Sequence, residues 1–111
     1  MTEPIDEYVS TQEERECDAT TAAYRALTTL RIKADARRAV AALIVERLAE
    51  LPSEILTSMD TEGPCAIESY AVAMRGPIIR ARIPGIRENL TVARVAISAA
   101  LPILANVTTD P

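Results

Sequence analysis

The stretch LTVARVAISAALPILANV, Leu90 to Val107, decides the fold. Ile86, Leu90, Ala93, Ile97, Leu101 and Leu104 fall on one side of a helix drawn through it, and Val92, Val95, Ala96, Ala99 and Ile103 fall on the other. A helix apolar on both sides has no water face of its own. The segment Ile86–Asn106 is therefore predicted to be the buried helix at the centre of the fold, or the seam between copies of the chain. Leu90, Ile97, Leu101 and Leu104 are the candidate residues of that oligomer interface. The stretch is long enough to raise a membrane span, but Arg94 near its middle and Pro102 argue against one, and no membrane partner is expected.

What surrounds this helix must be built from small side chains. Of 111 residues 49% are hydrophobic, yet there is no Phe and no Trp and only three Tyr. Ala, Val, Ile and Leu must make the core. They let helices approach closely but bury less area per residue than aromatics, so self-association is an expected way to add to it.

Upstream, Thr11 to Leu51 contains neither Gly nor Pro, and Leu27, Leu30, Ala34, Ala41, Ile44, Leu48 and Leu51 recur at helical spacing. One helix of that length would reach about 60 Å at 1.5 Å per residue. A break near Thr28–Lys33 is expected, where Thr28, Thr29 and Ile32 are β-branched; the alternative is a projecting helix that pairs with a partner chain. Arg37 falls on the apolar seam. Pro52 ends the run and Ser53 opens a short helical turn through Ile55, Leu56 and Met59. DTEGP (60–64) reads as a loop, and Ala66–Arg75 as a third helix stopped by Gly76 and Pro77. The reading is an all-α single domain over residues 11–106, a small bundle of three to five helices with a buried C-terminal helix. A polar arm over 1–10 and a tail over 107–111 flank it.

MRGPIIRARIPGIRENL (74–90) is the one place where turn residues, β-branched residues and arginines crowd together. IIRARI partly alternates, as a short strand with Arg80 and Arg82 on one face would. Arg75, Arg80, Arg82 and Arg87 are the candidate partner-binding residues, because guanidinium groups grip phosphates and carboxylates in bidentate fashion. The competing expectation, and the preferred one, is a structural corner whose arginines pair with the chain's own acids.

The charge map supplies those acids. The net charge is −4, and it is laid out in blocks of alternating sign. Residues 1–18 set seven carboxylates against Arg15, and residues 19–49 set six cations against Asp35 and Glu46. Residues 50–70 carry Glu50, Glu54, Asp60, Glu62 and Glu68 without a cation, and the remainder sets five arginines against Glu88 and Asp110. Such alternation suits a compact bundle, or a subunit that lays an acidic face on a basic face of its neighbour. A negative chain with no aromatic among its arginines has little claim on nucleic acid. Nucleic-acid binding or regulation through residues 75–87 is thus the second reading, and an acidic inhibitor that imitates nucleic acid the third.

Catalysis finds no footing. There is no histidine, no Gly-rich phosphate loop and no nucleophile elbow. Cys17 and Cys65 stand far apart, so zinc ligation of the usual kinds is excluded and no metal or cofactor is expected. Both cysteines are expected to be small buried hydrophobes. The acidic start lacks a leader pattern, so the expected setting is the cytoplasm or a viral particle. ARVAISAALPIL (93–104) resembles the alanine-rich helix endings of small proteins from high-GC bacteria and their phages, over about a dozen residues of a common pattern. The expected function is a non-enzymatic, self-associating interaction or assembly subunit, of which a phage-type particle component is one form, with a further copy or another protein as partner.

Overall fold

The break falls where the β-branched residues stand. In the computed structural model, which describes residues 12–87 and 89–106, α1 runs Gln12–Leu27, a 3-10 turn follows over Thr28–Leu30, and α2 runs Ala34–Ala49. The hydroxyl of Thr28 donates to the carbonyl of Arg25 at 2.6 Å and that of Thr29 to Ala26 at 2.9 Å. These bonds offer the last carbonyls of α1 side-chain partners in place of the next helical N–H groups. Arg31 then takes a left-handed conformation, φ 56°, and turns the chain back.

α3 spans Ser53–Glu62, α4 spans Pro64–Arg80 and α5 spans Asn89–Ala105. All described regular structure is helical, as the apolar periodicity predicts. Three boundaries differ from the sequence reading: the last helix, expected from Ile86, begins at Asn89 and leaves Ile86 in the corner before it. The loop expected over 60–64 is the single residue Gly63, whose φ of 75° separates two helices. Asp60, Thr61 and Glu62 belong to α3. The expected stop at Gly76–Pro77 is overrun as well: α4 continues to Arg80, and no strand forms at IIRARI. Pro77 removes one backbone donor and crowds the carbonyl of Ala73. Against that cost, Ala71, Met74 and Ile78 form a buried ridge at helical spacing. Ending the helix at Arg75 would take Ile78 out of register with the other two.

α5 packs against all four other helices, and its most extensive neighbour is α1. α1 brings Ala19, Ala23 and Leu27 to the core, and α5 brings Val92, Ala93, Ala96, Ile97, Ala100, Leu101 and Leu104. The alanines on both helices let the two axes come together. α5 is not closed over on every side, however. Arg94, Ser98 and Pro102, at spacing four, form an exposed strip, and the missing N–H of Pro102 falls there, where water can serve the carbonyl of Ser98. Val40, Ala41, Ile44, Val45 and Leu48 of α2 complete the core from another side. Leu56 and Met59 of α3 and the buried ridge of α4 cover the rest.

α1, α2 and α5 each run from one end to the other, and α3 with α4 together makes the remaining pass, so the corners collect at two ends. Gln12, Arg15, Ala49, Leu51, Ser53, Leu56 and Leu104 line one small hollow, which places the start of α1, the α2–α3 corner and the end of α5 together. The 28–33 turn and the start of α5 meet at the other end. No helix among the described residues is long and apolar enough to cross a membrane. The arm expected over 1–10 and the tail expected over 107–111 lie outside the described residues.

If the α1–α5 seam carries the fold, truncation within it is expensive. Ile97 is fully buried, and Ile97→Ala is expected to cost about 2–5 kcal/mol. Val72 is 55% exposed on α4, and Val72→Ala is expected to stay within about 0.5 kcal/mol of the parent. Urea unfolding followed by circular dichroism measures both.

Candidate functional site

The two corners at the second end face each other across a cleft of about 300 Å³. Leu30 and Ile32 from the α1–α2 turn, with Ile86 and Val92 from the far corner, supply its apolar lining. Arg31 and Arg87 bring one guanidinium from each corner, and Gly85 and Thr91 complete the wall. Gly85 has φ 81°, and open space surrounds its Cα where a side chain would stand, so it serves the turn. Thr91 and Val92 are the third and fourth residues of α5, so the positive end of that helix opens on the same cleft.

Of the four arginines singled out by sequence, only Arg87 lines this cleft. Arg75, Arg80 and Arg82 are exposed outside it. Arg80 lies back along its helix, its Nη1 3.2 Å from the point where a Cβ on Gly76 would stand. Arg82 sits in the left-handed region at φ 53°. The residue that the sequence reading passed over is Arg31. Its signal was present, in the form of a basic residue at a helix break flanked by β-branched ones, but nothing local says that the break meets the 81–87 connection in space.

The expected pairing of these arginines with the chain's own acids is not what the structure has. Among the described residues the ion pairs are Arg38 with Asp35 and Arg94 with Glu68, each at 3.1 Å. Arg31, Arg75, Arg80, Arg82 and Arg87 have no ion-pair partner among them. The acids nearest these arginines are engaged otherwise: Asp35, at the start of α2 beside the Arg31 turn, pairs with Arg38, and Glu68 on α4 pairs with Arg94. The proposed oligomer seam is also corrected. Ile97, Leu101 and Leu104 are 0%, 1% and 3% exposed inside the chain's own core, and Leu90 is half-buried against it. Ile97, Leu101 and Leu104 hold the monomer together and offer a partner no surface. Cys17 and Cys65, expected inside, are exposed, because the inner faces of α1 and α4 belong to Ala19, Ala23 and Leu27 and to Ala71, Met74 and Ile78.

Beside the cleft, Arg37 resolves the problem of a cation on an apolar seam without an acid. Its Nη1 donates to the carbonyl of Ile32 and its Nη2 to the hydroxyl of Tyr24 at 3.5 Å, while its guanidinium carbon stands 5.1 Å from the Tyr24 ring centre. Arg38 approaches the same ring at 5.8 Å. Nε of Arg37 is buried without a partner. Arg37 thus ties the turn that presents Arg31 to both α1 and α2. The hydrogen bond from Arg37 holds the Tyr24 hydroxyl below the usual tyrosine value against an opposing contribution from burial, and the charges of Arg37 and Arg38 act in the same sense. Burial pushes Tyr70 up.

What this end of the molecule can do chemically is hold negative charge. Among the described residues no group of three Cys, Asp or Glu gathers as a metal-ion site. No family model, curated protein or solved structure matches the chain.

Two measurements follow from this geometry. In an alkaline spectrophotometric titration Tyr24 should ionise before Tyr70, and Arg37→Met should move the Tyr24 transition up. Because the folded-state value of Tyr24 is the lower one, its phenolate favours the fold in full above the ordinary tyrosine range, and this contribution is lost as pH falls through the folded-state value. A left-handed non-Gly residue costs about 1–2 kcal/mol. Arg31→Gly is therefore expected to raise the melting temperature, and a lower one would show that the Arg31 side chain contributes more than its backbone costs.

Proposed function

We propose that this chain is a non-enzymatic assembly subunit that binds further copies of itself pole to pole. The carrying observation is the distribution of unpaired charge along a body of 54 × 27 × 22 Å. Glu13, Glu16, Glu50 and Glu54 belong to the end where α1 begins and α2 meets α3, while Arg31, Arg82 and Arg87 belong to the other. The basic end of one copy complements the acidic end of the next. Opposed potentials of this kind steer encounter and fix orientation.

An apolar contribution is at hand beside the basic end. Val72 and Ile79, 55% and 58% exposed, stand two turns apart on the outer face of α4 with Arg75 between them. Two exposed aliphatic side chains around a cation can be buried while the cation meets a carboxylate. Contacts between unlike surfaces are heterologous, and they close into rings or run on as open chains according to the rotation between neighbours. Either outcome suits a component of a repeating particle, including one of phage type. The nucleic-acid reading draws on the same exposed arginines, but the described tyrosines are engaged elsewhere, Tyr24 under Arg37 and Arg38 and Tyr70 half-buried against the core.

Electrostatic association must answer to salt, since the screening length falls from about 10 Å at 0.1 M to about 3 Å at 1 M. Multi-angle light scattering at low ionic strength is expected to show a mass that rises with protein concentration and falls towards the monomer at 1 M salt. Arg80→Glu with Arg82→Glu should abolish the rise while leaving the helical circular dichroism unchanged. A monomer at every concentration and low salt sinks the proposal, and salt-dependent capture of a DNA duplex by the parent chain would favour the nucleic-acid reading.

A further inference from the structure

We infer that the cleft between the α1–α2 turn and the start of α5 is a binding site for a small organic anion, a phosphate or carboxylate group carried on a compact apolar body. The inference shares Arg31 and Arg87 with the basic end proposed for assembly but does not require assembly, and the two tests are separable because the assembly test replaces Arg80 and Arg82 whereas this one replaces Arg31 and Arg87.

The argument begins with the two cations. Arg31 and Arg87 come from corners 56 positions apart in the chain and line one concavity, and neither is neutralised by an acid among the described residues. Two like charges facing one small space repel, and an anion between them removes the repulsion while accepting charge-assisted hydrogen bonds from both. The volume, about 300 Å³, lies at the lower end of the range of small-molecule sites. It exceeds what a bare phosphate needs.

The rest of the lining says what else the ligand carries. Ile32, Ile86 and Val92 contribute apolar surface to the same space. An inorganic ion would leave that surface wet, whereas an anion attached to a ring or a short branched chain covers it. Thr91 accepts a hydrogen bond from Arg94 at 3.4 Å, which leaves its own hydroxyl proton to donate. The orienting polar set is then two guanidinium groups and one hydroxyl, all donors, which selects for acceptors and against cations. The Arg37 hydrogen bond to the carbonyl of Ile32 anchors the residue next to Arg31, so that corner is already tied down before a ligand arrives.

The test is calorimetric titration of the full chain with three probes: phenyl phosphate, inorganic phosphate and neutral benzyl alcohol. Phenyl phosphate is expected to bind one to one, inorganic phosphate at least about tenfold more weakly, which is about 1.4 kcal/mol, and benzyl alcohol not at all. Benzoate should follow phenyl phosphate if carboxylates are accepted. Arg87→Ala should weaken phenyl phosphate at least tenfold, and so should Arg31→Gly, a substitution chosen because it suits the left-handed backbone and leaves the fold intact. Arg80→Ala, outside the cleft, should bind as the parent does. Three results overturn the inference: no binding of phenyl phosphate at about 10 mM, unchanged binding in Arg31→Gly and Arg87→Ala, or equal affinity for inorganic and phenyl phosphate. If the Arg87 variant loses helical signal, Arg87→Lys replaces it. Lysine retains the charge but not the two-pronged fork, and weakened binding of phenyl phosphate by that variant supports the site while parent-like binding counts against it.

Discussion

The contact between α1 and α5 is the constraint on which the remainder depends. A chain without Phe or Trp cannot fill a wide space between helices with a few large side chains, so it must draw the helix axes together instead. Ala19 and Ala23 on one helix and Ala93, Ala96 and Ala100 on the other make this approach possible, all of them 0% exposed. Close axes leave little room for correction: an added methylene at such a seam forces side chains off their rotamers or pushes the backbone apart. The larger side chains, Leu27, Ile44, Leu48, Ile97 and Leu101, surround this alanine seam and seal it. α3 and α4 then need only cover the exposed flank of α5, and the single residue Gly63 between them suffices as a joint.

The same up-and-down path turns a linear charge pattern into a polar body. Glu13, Glu16, Glu50 and Glu54 therefore come to one end, and Arg31, Arg82 and Arg87 to the other. Among the described residues two ion pairs form, Arg38 with Asp35 within α2 and Arg94 with Glu68 between α5 and α4, both exposed and of little weight for stability. The cost of leaving the other charges uncompensated within the monomer is small in water, and their long-range field is retained.

The architecture was legible in the sequence wherever period and packing agree. The last helix and the break at Thr28–Lys33 follow from apolar spacing and from hydroxyl side chains that compete with the backbone, whereas the partial alternation of IIRARI (78–83) suggested a strand that does not form. Pro77 misled because a local breaker was weighed without Ile78, whose burial depends on surfaces supplied by other helices. The burial of Ile97, Leu101 and Leu104 was visible, but its partner was not: periodicity marks a face as apolar without saying whether the same chain or another covers it. The cleft was half legible. Arg87 stood in a conspicuous arginine cluster, whereas Arg31 acquires meaning only from the meeting of two corners that lie far apart in the chain, and no local pattern encodes that meeting.

The α1–α5 contact also has a bearing on the order of events during synthesis. The helix made first among those described finds its principal partner in the helix made last, with 61 intervening residues between Leu27 and Asn89. Until α5 is complete, Ala19, Ala23 and Leu27 have only the neighbouring α2 to shelter them, and α3 and α4 lack the surface they cover. Neighbouring helices can pair early and cheaply, but the closing contact spans nearly the whole described chain, and loop closure must precede its reward. The nascent protein thus passes through a long interval as loosely associated hairpins with apolar faces open to other chains, and cooperative folding waits for its final seventeen-residue segment.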